Sequence, residues 1–155
     1  MLNPKVLQSV RLIQKIIIVN EDGLVLAMRR PTSDRSRPDS WDFPGGGYEQ
    51  GEDIRQSLER EVMEESGLTL SSFQPIFIAS KINDASHFYK GENTVFAVCY
   101  LSLNWSGDVV LSNEHVEYKW VSPEEFLTYE FGSDGGFFTE SLSAYLQMKK
   151  QSIGD

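Results

Sequence analysis

Apolar residues in this chain recur with two different periods. From Gln14 to Asn20 they are nearly continuous, which suits a strand buried on both faces. Glu21-Asp22-Gly23 follows. Asp-Gly is a strong hairpin signal, so Leu24 to Met28 is the expected return strand. Pro31 to Ser40 is polar, holds two prolines and reads as a loop. Phe73 to Ile82 and Thr94 to Leu103 read as strands, and Tyr118 to Val121 as a shorter one. The polar stretch Asn83 to Asn93 between the long strands is an expected loop carrying His87, Phe88 and Tyr89.

The second period is helical. Ile54, Leu58 and Val62 form one stripe at about 100° per residue. Asp53 is a good N-cap, Gln56 stands where a capping box needs it, and Gly67 suits the left-handed residue past a helix end. The spacing therefore predicts a helix over 54–66. Ser122-Pro123-Glu124-Glu125 starts another helix, with proline in its first turn. Asp134-Gly135-Gly136 is expected to break the chain before a last helix over Phe138 to Lys150. Mixed strands and helices predict an α/β (α+β) fold, with a mixed sheet and helices on both faces. The 155 residues show no repeats or linkers and suit a single domain spanning 1–155.

Charge changes the meaning of the first helix. Glu61, Glu64 and Glu65 stand at i, i+3 and i+4 and share one side, overlapping the apolar stripe, whereas Glu59 falls on the wetter side. A run of charge is commonly a solvated face. These three, however, repel each other near a core edge and lie in the C-terminal half, where the helix dipole disfavours anions. A divalent cation would offset all three penalties, and oxygen ligands suit Mg²⁺ or Mn²⁺. Spacing alone leaves both readings open. Gly45-Gly46-Gly47 is likewise either a flexible turn or a place where backbone approaches a ligand.

The formal net charge of −9 argues against a nucleic-acid partner, which would need a basic surface. An acidic protein that handles anionic substrates needs local cations, which metal ions would supply. The lone cysteine, Cys99, lies in an apolar run and reads as a small buried hydrophobe. No disulfide can form within the chain, in keeping with a reducing, cytoplasmic setting. The apolar run Ile16 to Val19 is too short for a signal or membrane segment, so no membrane association is expected. Neither His87 nor His115 has a partner at metal-ligand spacing, and both read as ordinary loop histidines.

From Gly46 the chain runs Gly46-x5-Glu52-x7-Arg60-Glu61-Val62-Met63-Glu64-Glu65-Ser66-Gly67-Leu68. Here it resembles the Nudix hydrolases (MutT-like), whose box is G-x5-E-x7-R-E-U-x-E-E-x-G-U with U aliphatic; every fixed position is filled. The lead-in Trp41-Asp42-Phe43-Pro44-Gly45-Gly46-Gly47 is also similar to the family's approach to the box. The resemblance covers nearly the whole chain and implies an α/β/α sandwich. It further implies Mg²⁺-dependent hydrolysis of a nucleoside diphosphate linked to a moiety X, with Mn²⁺ able to substitute. Metal ligands implied are the Gly45 carbonyl, Glu61, Glu64, Glu65 and, from a loop, Glu114. Catalytic roles fall to Glu61, Glu64 and Glu114, with Glu61 and Glu114 competing as general base. Glu114 otherwise reads as a surface loop residue. Glu117 is its competitor, but it sits closer to the start of the strand at Tyr118. Arg30 and Gly46 are expected at the substrate phosphates, although Arg30 also reads as a solvated strand end. Glu52 and Arg60 are expected as an ion pair that orients helix and loop.

Substrate identity is less legible. Asn83 and Asp84 stand where a proline marks many ADP-ribose pyrophosphatases, so that subclass is not supported. The coenzyme A signature is matched only loosely, with Asp39 where glycine is expected and Pro31 replacing a small residue. A nucleoside triphosphate or nucleotide sugar leads. Coenzyme A, a dinucleoside polyphosphate, or a non-catalytic nucleotide-binding module are the alternatives, in a monomer or homodimer. Phe88 and Tyr89 are read either as stacking partners for a base or as packing anchors.

Overall fold

A computed structural model describes residues 10–83 and 93–153. The elements run β1 (Val10–Ile18), β2 (Val25–Arg29), β3 (Trp41–Asp42), β4 (Gly45–Gly47), α1 (Ile54–Ser66), β5 (Thr69–Asn83), β6 (Asn93–Ser106), β7 (Glu117–Val121), α2 (Pro123–Phe126) and α3 (Gly135–Ile153). A short 3₁₀ turn, Gly132–Asp134, leads into α3. His87, Phe88 and Tyr89 lie outside the described residues.

Strand order in the larger sheet is β4-β1-β6-β5, and in the smaller one β3-β2-β7. Among the described residues only the β1–β6 pair is parallel; β4, β5 and all of the small sheet pair antiparallel. The fold is thus a mixed α+β one. Both faces of β1 are covered, which explains its unbroken apolar run. Ile16 and Ile18 point towards α1, where they pack with Leu58, Val62, Leu68 and Tyr100. Ile17 points the other way, into an aromatic-rich core with Phe43, Phe126, Phe138 and Leu142.

Helix α1 has the bounds that its capping chemistry predicts. Asp53 accepts from the Gln56 amide at 2.8 Å, and Gln56 accepts from the Asp53 amide at 3.1 Å. Gly67 closes the helix at φ 73°. The apolar stripe is shorter than expected, because Leu58 and Val62 are fully buried while Ile54 is 51% exposed. Ile54 is the first helical residue.

Three expectations are corrected. Gly135-Gly136 does not break the chain but forms the start of α3. Gly45–Gly47 is a short strand rather than a flexible turn, and Trp41–Asp42 just before it is another. β5 and β6 run beyond their expected ends, with register shifts near Leu70, Ser72 and Pro75.

Candidate active site

The glycine strand β4 lies against β1, with Gly45 opposite Lys15 and Gly46 opposite Gln14. A Cβ on Gly45 would stand 2.1 Å from the Gln14 carbonyl oxygen, and Gly45 has φ 124°. No other residue fits both the approach and the dihedral. A Cβ on Gly46 would stand 2.6 Å from the Glu61 carboxyl carbon. The missing side chain therefore lets the α1 carboxylate rest on the backbone of β4.

Glu61, Glu65 and Glu114 line one cleft of about 600 Å³ together with Gly45 and Gly46. Glu65 is 4% exposed and its Oε2 accepts from the Gly45 amide at 2.9 Å. Burial pushes its carboxyl up to about 8; Lys15 opposes the rise, and Asp42 and Glu114 reinforce it. Glu61 is likewise raised by burial, with Arg60 opposing and Glu64 and Glu114 adding to the rise. The charge on Glu114 thus reaches both helix carboxylates.

Glu114 is exposed, but its loop is held. The Ser112 amide donates to the Glu65 carbonyl at 3.4 Å, and the Val110 amide to the Ser66 carbonyl at 2.9 Å. The next residue, His115, is buried at 3% exposure, with Nε2 3.4 Å from Asp42. His115 is therefore not an ordinary loop histidine. It fixes the backbone beside the Glu114 carboxylate.

Glu64 stands apart from the cleft. Its side chain is 56% exposed and meets Arg60 at 3.2 Å. Arg60 also pairs with Glu61 at 3.1 Å and holds Glu52 through two contacts, one of them Nη2 to Oε2 at 3.2 Å. Its Nη2 reaches the Gly47 carbonyl at 3.5 Å. This guanidinium thus ties the loop before α1 to the helix. Glu117 begins β7 and pairs with Arg29 at 2.9 Å, outside the cleft.

The opposite wall is built on Asp42, which is fully buried. Around it stand Lys15 at 3.0 Å, Arg30 at 2.8 Å and Arg37 at 3.1 Å. Burial opposes ionisation of Asp42, but Lys15, His115, Arg37 and Arg30 outweigh it and hold the carboxyl well below its usual range. Arg30 also meets Asp34 at 2.7 Å. It lines the cleft with its guanidinium already engaged by two carboxylates. Sequence reasoning missed Lys15, Arg37 and Asp42 as members of the site. The usable signal was Lys15, a single charge inside a buried strand, which must find a partner.

Among the described residues, no three His, Cys, Asp or Glu side chains form a ready cage for a metal ion. The donors nonetheless fit a hard divalent ion in kind: carboxylates of Glu61, Glu65 and Glu114 and the Gly45 carbonyl, all oxygen, beside one cleft. Cys99 is fully buried and its thiol is pushed up to about 12, mainly by desolvation, which excludes it as a nucleophile.

The NUDIX domain model matches residues 11–140. The chain belongs to the NUDIX domain family. As a NUDIX protein it is a pyrophosphohydrolase acting on phosphorus anhydrides. The chain is 28% identical over 117 residues to the nucleoside triphosphatase NudI of Salmonella arizonae, an alignment covering 73% of this chain and 83% of that relative. The MutT protein of Methanosarcina mazei Go1 superposes with TM-score 0.72 at 28% identity, covering 94% of this chain and 99% of the other. The E. coli ORF135 protein superposes with TM-score 0.72 at 24% identity, over 95% of this NUDIX chain and 96% of its own, a likeness of fold. Among the described residues no helix is long and apolar enough to cross a membrane.

Proposed function

We propose that this NUDIX protein is a Mg²⁺-dependent pyrophosphohydrolase, with Mn²⁺ able to substitute, that cleaves nucleoside triphosphates. The observation that carries the reading is the placement of Glu61, Glu65, Glu114 and the Gly45 backbone along one cleft. The NudI relatives, named as nucleoside triphosphatases, favour that substrate over a nucleotide sugar. Glu61, Glu65 and the Gly45 carbonyl would hold the divalent ion, and Glu64 would join them by leaving Arg60. A bound ion supplies neutralisation of phosphate charge and orientation of the attacking water.

The chain's own groups do the rest. Glu114 takes the proton of the attacking water, being an exposed carboxylate on an anchored loop. Arg60 holds Glu61 towards β4. Lys15, Arg30 and Arg37 give the far wall positive charge for the phosphates. Attack at phosphorus releases a nucleoside monophosphate and diphosphate, or a nucleoside diphosphate and phosphate. A buried Cys99 suits a cytoplasmic setting.

The test is a hydrolysis screen over nucleoside triphosphates, nucleotide sugars, ADP-ribose, dinucleoside polyphosphates and coenzyme A, with and without Mg²⁺. Turnover of a nucleoside triphosphate that stops in excess EDTA is the expected result. Full turnover in EDTA, or binding of nucleotides without cleavage of any, overturns the proposal.

A further inference from the structure

Lys15 is an unusual residue for its place. It interrupts the buried strand β1, is 6% exposed, and lines the cleft with its side chain. Its ammonium donates to Asp42 (3.2 Å to Oδ2), to the Phe43 carbonyl at 3.2 Å and to the Gly45 carbonyl at 2.9 Å. Three N–H donors meet three oxygen groups, so the hydrogen-bonding capacity of the ammonium is filled. A carboxylate and two carbonyls are also the donors that a hard metal cation takes.

The plain account makes Lys15 the counter-ion of Asp42. That account is insufficient. Asp42 already has Arg30 at 2.8 Å and Arg37 at 3.1 Å, with His115 at 3.4 Å. A further cation is not needed to neutralise one carboxylate. Two of the three Lys15 bonds go instead to the backbone flanking Pro44, and the shortest goes to Gly45. The Gly45 amide, in turn, donates to Glu65. Lys15 thus holds one side of the peptide strand whose other side touches the helix carboxylate.

We propose that Lys15 is a positioning residue that serves as the resident cation of the active site, its ammonium competing with a divalent ion for the Gly45 carbonyl. The inference rests on the metal reading given above. Two like charges sharing one carbonyl repel each other at short range in a half-buried site. The free enzyme therefore holds a divalent ion weakly. An anionic substrate screens that repulsion, so the ion is held firmly only when the phosphates are present. The ammonium keeps β4 in place until then.

The test is Mn²⁺ binding to the whole protein without nucleotide, read by the electron-paramagnetic-resonance signal of free Mn²⁺. Lys15→Met and Lys15→Gln remove the charge, and the second keeps a donor for the carbonyl if the first does not fold. Each is expected to bind Mn²⁺ at least tenfold more tightly than wild type, whereas Lys15→Arg stays within about threefold. A purely structural lysine gives the opposite sign, because loss of its bonds loosens Gly45 and weakens the site. Unchanged or weaker binding in both neutral variants overturns the proposal. Loss of wild-type binding on Glu65→Gln shows that the metal reading stands independently of this result. If neither wild type nor the neutral variants bind Mn²⁺, the metal reading and this inference fall together.

Discussion

At the α1 end of the cleft, carboxylates outnumber cations: Glu61, Glu65 and Glu114 face it, and the nearest guanidinium, Arg60, is shared with Glu52 and Glu64. At the β1–β2 end the imbalance is reversed, with Lys15, Arg30 and Arg37 gathered on Asp42. The two ends answer burial differently. The acidic end takes up protons, as the raised Glu65 carboxyl shows. The basic end stays ionised, because both of its carboxylates, Asp42 and Asp34, are held well below the usual range. Each end is incomplete in a complementary way. One lacks a cation and the other has cations to offer an anion, so a divalent ion bound to a phosphate satisfies both at once.

The comparison breaks most severely at Asp42. Asp42→Asn leaves the buried Lys15 and Arg37 and the half-buried Arg30 facing a neutral amide, and removal of one partner from a buried ionic cluster costs about 3–5 kcal/mol. Denaturant unfolding of the metal-free protein is expected to show a loss of that size. A loss below ~1 kcal/mol would mean that the arginines find water or other partners, and that the basic end is not organised by Asp42.

At the acidic end the expected loss is in turnover. Glu65→Gln and Glu64→Gln each remove a carboxylate proposed to hold the metal ion while keeping size and helix propensity, and a fall in kcat on the order of 10²-fold is expected for each. Glu64 is the sharper test, because its carboxylate is exposed and paired with Arg60. Wild-type kcat in Glu64→Gln at saturating metal would leave it as a partner of Arg60 alone. Glu114→Gln is expected to depress kcat at every metal concentration and to flatten the alkaline rise of the pH profile. Glu61→Gln should recover in part at high Mn²⁺. The reverse pattern would move the base to Glu61.

The two ends also differ in how far they could be read from the sequence. The acidic end lies on one helix whose caps, Asp53, Gln56 and Gly67, are local signals, so its residues and their spacing were legible together. Glu114 was legible only through its distance from Trp120. The basic end joins residues 15, 30, 37, 42 and 115, which come together through strand pairing and a loop contact. No local pattern links them. Ile54 shows the same limit on a small scale. Periodicity gives the stripe, but only packing decides that Leu58 and Val62 reach the sheet and Ile54 does not.

Proton uptake at Glu65 gives a smaller, reversible effect. An unfolded glutamate releases its proton near pH 4.5, whereas the folded carboxyl holds it to about 8. A raised pKa favours the folded state fully below pH 4.5, and that advantage is lost as pH rises towards 8. At 1.36 kcal/mol per unit, and allowing a unit of uncertainty, the metal-free protein should lose ~2.5–4 kcal/mol between pH 5 and 8. Asp42, whose pKa is lowered, acts only at acid pH, outside this window. Thermal unfolding in EDTA checks it. Glu65→Gln should flatten the dependence, and Mg²⁺ should restore stability at pH 8. A flat profile in the wild type would show that the Glu65 carboxyl is not buried as a neutral acid.

The smallest expected effect marks the edge of the acidic end. Glu117 is three residues from Glu114, and sequence spacing made the two rivals. The structure separates them by what each carboxylate touches. Glu117 opens β7 opposite Arg29, accepts from its Nε at 2.9 Å, and lies 3.6 Å from Lys119. Both members of the Arg29 pair are about one-third exposed, so water screens the interaction. The backbone of Glu117 is held in the β2–β7 ladder and cannot swing as a loop residue does. Glu117→Gln is therefore expected to change stability by less than about 0.5 kcal/mol and to leave kcat within about twofold of wild type. A loss of turnover approaching that of Glu114→Gln would mean that the β7 carboxylate reaches the cleft during the reaction, and the acidic end would have to be redrawn to include it.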